Sequence, residues 1–203
     1  MTAAPNAWTD QPILTGRHAT LRPLVMDDRD ALVAAAADGA ITELFFTNVA
    51  NLRDPDAYMA AIFVERDFGR AMPFAVETPD GKLVGMTRYM RMNAAHRRLE
   101  IGGTFYARSV QRSGVNTEAK LLLLTHAFEA MDCNVVQIRT DWFNKKSQTA
   151  IERLGAKRDG VLRNHQTMDG RIRDLVVYSI IASEWAGVKT NLHYLLQRHE
   201  GGR

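Results

Sequence analysis

Apolar residues recur along this chain with two periods, and the switches between them mark out its elements. HATLRPL (18–24) alternates as a half-buried strand does, and Asp27 and Asp28 then stand where they would cap a helix through the alanine run 31–37. ITELFF (41–46) is an apolar connector. Asp54-Pro55 opens a second helix, with Tyr58, Ile62 and Phe63 on one side. PFAVET and KLVGMTRYMRM predict strands joined by a turn at Pro79-Asp80-Gly81. LEIGGTFYA (99–107) is a further strand, and a long helix is expected from about Asn116 to Met131. VVQIRTDW (135–142) has strong β-branched character, and NKKSQTAIERLGA carries a short helix ending near Gly155. VLRNHQTM and RDLVVYSII flank Asp169-Gly170, a hairpin signal. A final helix, 183–198, is amphipathic through Trp185, Val188, Leu192, Leu195 and Leu196.

The predicted order is β-α-α-β-β-β-α-β-α-β-β-α, one mixed α/β (α+β) domain in 203 residues, without repeats or linkers. Residues 1–12 are expected as a flexible N-terminal tail, 13–182 as the domain, and 183–203 as a C-terminal helix and tail. The net charge of +3 is spread among acidic neighbours, which argues against nucleic acid as a partner. No apolar run approaches the length of a membrane span, and the first residues lack a secretory pattern, so a cytoplasmic protein is expected. The single cysteine, Cys133, and six scattered histidines predict neither a disulfide nor a metal site.

Three segments carry candidate chemistry. The first is Gln111-Arg112-Ser113-Gly114-Val115-Asn116-Thr117, a glycine-bearing loop entering the long helix. The first N–H groups of a helix lack internal partners and lie at its positive end, so this junction suits a phosphate. Arg112 adds a cation, Ser113 and Thr117 hydroxyls, and Gly114 room for close approach. The same residues, with Glu118, would also serve a plain N-cap. The spacing matches neither GxxxxGK[ST] nor GxGxxG. The second candidate is Glu100, which shares a strand face with Gly102 and is either a solvent-facing carboxylate or a general base. The third is Asn144-Lys145-Lys146-Ser147, polar residues at a strand's C-terminal end, a helix cap or part of a ligand site.

Taken together, element order and motifs resemble the GNAT acetyltransferase superfamily. Gln111-x-x-Gly114-x-Asn116 is similar to its Q/R-x-x-G-x-G/A loop, departing at Asn116. Asn144, Ser147, Ala150, Leu154 and Gly155 fit the N-x-x-S-x-x-A-x-x-x-L-G-A/F segment. The ending DGVLRNHQTMDGRIRDLVVYSIIASEW resembles the RimJ/RimL-like branch, the N-terminal acetyltransferases of ribosomal proteins.

The resemblance implies a GNAT fold: one mixed, mostly antiparallel sheet of about seven strands with flanking helices and a V-shaped splay between the fourth and fifth. It implies acetyl-CoA as cofactor, its pyrophosphate on 111–117, with Asn144 and the segment Thr104, Phe105 and Tyr106 also on the cofactor side. It implies direct acetyl transfer to a primary amine, either a protein N-terminal α-amine or a small molecule. A non-catalytic acyl-CoA-binding protein on the same fold is the alternative. Glu100 aligns with the proposed base and Ser147 with the serine proposed to stabilise or protonate the thiolate, while a backbone N–H near Thr104 to Tyr106 would polarise the carbonyl. The position where many members carry a tyrosine acid is Ile151. A homodimer through the last helix is open. Leu44, Phe45 and Phe46, the second helix and the final hairpin would frame the acceptor side, although such an aromatic connector is more often core. Arg88, Arg91, His96, Arg97 and Arg98 make the neighbouring strands basic, either a solvated hairpin or an attraction for an acidic substrate.

Overall fold

In the computed structural model, residues 6–47, 52–168 and 170–201 are described. Eight strands form one sheet in the order β1-β2-β3-β4-β5-β6-β8-β7. They are β1 (Leu14–Thr15), β2 (Thr20–Pro23), β3 (Met72–Glu77), β4 (Leu83–Asn93), β5 (Arg98–Tyr106), β6 (Val135–Asp141), β7 (Lys157–Met168) and β8 (Arg171–Ile181). The strand beyond the expected seven is the two-residue β1, too short to show a period. The helices are α1 (Arg29–Ala37), α2 (Pro55–Asp67), α3 (Val115–Thr125), α4 (Lys145–Arg153) and α5 (Trp185–Gly201).

All neighbouring strands are antiparallel except β5 and β6, which run parallel over Arg98↔Val135, Leu99↔Val136 and Glu100↔Gln137 only. Beyond Glu100 the two diverge, producing the V-shaped splay. The sequence supplies the cause in Gly102-Gly103. Gly103 adopts a φ of 56° and the β4–β5 register shifts there, a bulge that bends β5 away from its neighbour.

The sheet is covered on both faces. Tyr58 of α2 donates through Oη to Met86 Sδ at 3.6 Å on one face; Tyr89 Oη donates to the Leu123 carbonyl of α3 at 2.6 Å on the other. The expected long helix is α-helical only through Thr125, and residues 126–130 form a wider π turn closed by Met131 N–H on the His126 carbonyl. α5 packs on its own chain: Trp185 stacks on Phe128 at 5.3 Å, and Val188 and Leu192 are buried. At the other end, Trp8 donates through Nε1 to the Met131 carbonyl at 3.0 Å. The side chain of Asp28 caps the short turn 26–28 rather than α1, accepting from Val25 N–H at 2.9 Å and from both Arg22 Nη atoms at 2.6 and 2.8 Å. Asp169 of the expected hairpin turn lies outside the described residues.

Candidate active site

β5 and β6 present their C-terminal ends side by side, and each leads into a helix N-terminus, α3 and α4. From Ile101 onward the β5 edge facing β6 has no strand partner, so its backbone groups line the mouth of the splay. Two side-chain bonds span the gap. Lys146 Nζ donates to Gln111 Oε1 at 2.5 Å, and Arg153 Nη2 donates to Thr117 Oγ1 at 3.1 Å. The helix α4, which carries Ser147, is thereby tied to the loop 111–117.

Within that loop the residues divide into framework and free groups. Gln111 also donates to the Tyr106 carbonyl at 3.2 Å, and Ser113 Oγ donates to the Val110 carbonyl and accepts from Val115 N–H. Val115 is core, and Thr117 is buried and tied to α4. Gly114 caps the helix, but a Cβ there would stand 2.7–3.0 Å from the His18 ring; the glycine accommodates an imidazole of this chain. Arg112 holds a φ of 65° and is exposed, and neither its guanidinium nor the Asn116 side chain makes a bond among the described residues. The N–H groups of Gly114, Asn116 and Thr117 likewise have no acceptor among them. Free N–H groups and an unpaired guanidinium fit a pyrophosphate. Glu118 does not join the cap. Its buried carboxylate accepts the N–H groups of Arg17 at 2.9 Å, of His18, and of Ala19 at 2.7 Å, pinning the β1–β2 turn to α3.

Glu100 is 4% exposed, on the last pair of the parallel ladder. It shares its face with Gly102, as alternation predicts, since a Cβ on Gly102 would lie 3.4 Å from Glu100 Oε1. It is not a solvent-facing carboxylate. Oε2 is paired with Arg91 Nη1 at 2.6 Å and Arg139 Nε at 3.1 Å, leaving Oε1 without a bond among the described residues. Arg91 reaches it through a left-handed φ of 49°, which no sequence pattern announces.

Thr104 follows the bulge and is turned to the opposite face. Its hydroxyl bonds Thr87 Oγ1 at 2.7 Å and accepts from Lys120 Nζ at 3.0 Å, so only its backbone borders the splay. Phe105 is core, and the Tyr106 hydroxyl is buried without a bond, its pKa raised by burial. Asn144 caps α4 through Oδ1, 3.0 Å from Ser147 N–H. Ser147 Oγ is half-buried and unbonded among the described residues. Ile151 is core.

Beside the aromatic connector lies a hollow of about 230 Å³ lined by Thr42, Glu43, Leu44, Phe45, Arg53, Met168 and Arg171. The aromatic connector belongs to its wall rather than the core: Phe45 is 59% exposed and faces Phe143 at 6.0 Å. Arg171 is held there by Asp141, at 2.6 Å. Among the described residues no group of three His, Cys, Asp or Glu is placed to hold a metal ion, and no helix is long and apolar enough to cross a membrane.

Residues 18–157 match the family model described as an acetyltransferase (GNAT) domain. The chain belongs to the GNAT acetyltransferase family. Members of this family use acetyl-CoA, in keeping with the loop and splay described above. A Bacillus subtilis (strain 168) protein, YdaF, provisionally named a ribosomal N-acetyltransferase, is 36% identical over 110 residues, 54% of this chain. That match spans 60% of YdaF. A provisionally named acetyltransferase from T. thermophilus superposes with a TM-score of 0.80 at 33% identity, covering 97% of this chain and 100% of the other. Mycobacterium smegmatis RimJ, solved with CoA-disulfide, shares the fold with a TM-score of 0.75 at 23% identity, over 93% and 95% of the two chains.

Proposed function

We propose that this GNAT member acetylates a primary amine, with the α-amine of a protein N-terminus as the acceptor. The observation that carries the proposal is the splay opening directly beyond Glu100, with the N-termini of α3 and α4 beside it. Acetyl-CoA, when bound, supplies the acetyl group as a thioester. The free N–H groups at the start of α3 and the Arg112 guanidinium would hold its pyrophosphate. A backbone N–H on the unpaired β5 edge, near Thr104 to Tyr106, donates to the carbonyl oxygen as charge develops there. Glu100, through Oε1 or a water on it, takes the proton that the amine nitrogen releases as it bonds the carbonyl carbon. Ser147 Oγ would donate a hydrogen bond to the thioester sulfur as it leaves.

Two arguments support an α-amine. With a pKa near 7.7–8.0 it is about 10% neutral at pH 7, whereas a lysine near 10.4 is below roughly 0.1% neutral and needs far more help from a base. The name of YdaF points the same way. The test is a mass-spectrometric screen of acetyl-CoA with mixed pools of peptides and small amines. An acetylated peptide N-terminus is expected; a modified metabolite alone would overturn the acceptor class. Glu100→Gln should lower kcat by about 100-fold or more, and Ser147→Ala by about tenfold. Unchanged turnover in either variant would remove that residue from the chemistry.

A further inference from the structure

One cation beside the splay has no part in the scheme above. Arg88 of β4 pairs across to Gly102, and Met90, two residues on, pairs to Glu100. Arg88 therefore shares a face with Glu100. A Cβ on Gly103 would stand 2.7 Å from Arg88 Nε and 3.4 Å from Cγ and Cδ, so the side chain lies along the bulge where β5 leaves β6. Its Nε is buried and unbonded, and the guanidinium has neither an ion pair nor a hydrogen bond among the described residues.

Among the described residues, the two carboxylates placed near it are both engaged elsewhere. Glu100 is engaged by Arg91 and Arg139. Glu65 of α2, within range of its charge, has both oxygens on Arg70, at 2.7 and 2.9 Å. Tyr58, the other α2 group that senses Arg88, donates its hydroxyl hydrogen bond to Met86 Sδ. Two guanidiniums (Arg91 and Arg139) thus occupy Glu100, and a third, Arg88, is left over on the same face, bordering the place where an acceptor must sit. A guanidinium fork with a buried, unbonded Nε is suited to a carboxylate.

We propose that Arg88 binds a carboxylate of the acceptor, so that the enzyme prefers amines carrying an anionic group close to the reacting nitrogen. The inference rests on the acetyltransferase reading and names its substrate class. It disfavours polyamines, whose extra charges would meet this cationic face. The carboxylate could belong to an acidic side chain near a peptide N-terminus or to a free amino acid.

The experiment uses the full chain, saturating acetyl-CoA, thiol release as readout, and two acceptor pairs. One pair is a C-terminally amidated peptide with glutamate or glutamine as second residue; the other is serine and serinamide. The expected result, in at least one pair, is a KM lower by about tenfold for the anionic member, lost in Arg88→Gln and partly kept in Arg88→Lys. Whichever pair responds identifies the source. Arg88→Gln should leave the KM for acetyl-CoA and the kcat for the neutral member within about twofold, since it removes ground-state binding. No preference in wild type, or an equal fall in kcat for both members of a pair, would overturn the proposal. Calorimetric titration of the same compounds into CoA-loaded protein separates the two claims. Arg88-dependent binding of an anionic member without turnover would sink the transferase reading and keep the anion site; binding of none would sink the anion site.

Discussion

Lys120 offers a measurement that stands apart from catalysis. Its side chain is buried against the sheet, with Thr104 Oγ1 at 3.0 Å and Thr87 Oγ1 at 3.4 Å as acceptors and no carboxylate among the described residues. Burial pushes its pKa down from 10.5 to about 7. Between those values the unfolded chain holds a proton that the folded chain has lost, so this residue makes stability climb as pH rises from about 7 toward 10.5. Below about 7 both states are protonated and the burdened charge exerts its full penalty. The span converts to an upper bound of roughly 5 kcal/mol, less about 1 kcal/mol for the hydroxyl contacts a replacement forfeits. Lys120→Met, close in volume, should therefore stabilise the protein by about 2–4 kcal/mol at pH 6 and by no more than about 1–2 kcal/mol at pH 9. Urea unfolding of wild type and variant at pH 6, 7.5 and 9 provides the difference, in which all other titrations cancel. A variant no more stable than wild type at pH 6, or a difference indifferent to pH, would refute the reasoning.

Three further substitutions probe the framework. Glu118→Ala leaves the N–H groups of Arg17, His18 and Ala19 without their acceptor and should cost about 3 kcal/mol; a thermal-melt loss below about 1 kcal/mol would contradict that role. Gly114→Ala drives a methyl into the His18 ring and should cost about 1–2 kcal/mol, recovered when His18→Ala is added; a cycle without coupling in chemical denaturation would count against the contact. Asp141→Asn uncovers Arg171 at 2.6 Å and Arg173 at 3.2 Å and should destabilise by about 3–5 kcal/mol, checked by denaturant midpoint, with little change indicating that the pairs are dispensable.

Much of the site could be read from residue order because local periodicity controls it. Strand alternation places Glu100 beside Gly102, and the cap pattern places Asn144 on Ser147 N–H. What escaped depends on partners distant in sequence or on backbone irregularity. The Gly103 bulge inverts Thr104, so a residue expected at the cofactor turns its hydroxyl to Lys120. Lys120 itself sits in the run AKLLLL, where a single amine inside an apolar stretch is the available signal. Arg91 read as part of a basic hairpin or an attraction for an acidic substrate, and Arg139 carried no signal, yet both converge on Glu100. Glu118 looked like a first-turn carboxylate because the β1–β2 turn it holds lies about a hundred residues earlier.

The three-residue parallel ladder has a mechanical consequence. β5 and β6 form two arms joined at one end, with Glu100↔Gln137 as the fulcrum and side-chain ties from α4 to α3 and its preceding loop across the open end. When a guest forces such arms apart, displacement grows with distance from the fulcrum. Glu100 therefore travels least of all the groups around the opening, and its alignment is preserved while the outer loops adjust to whatever they grip.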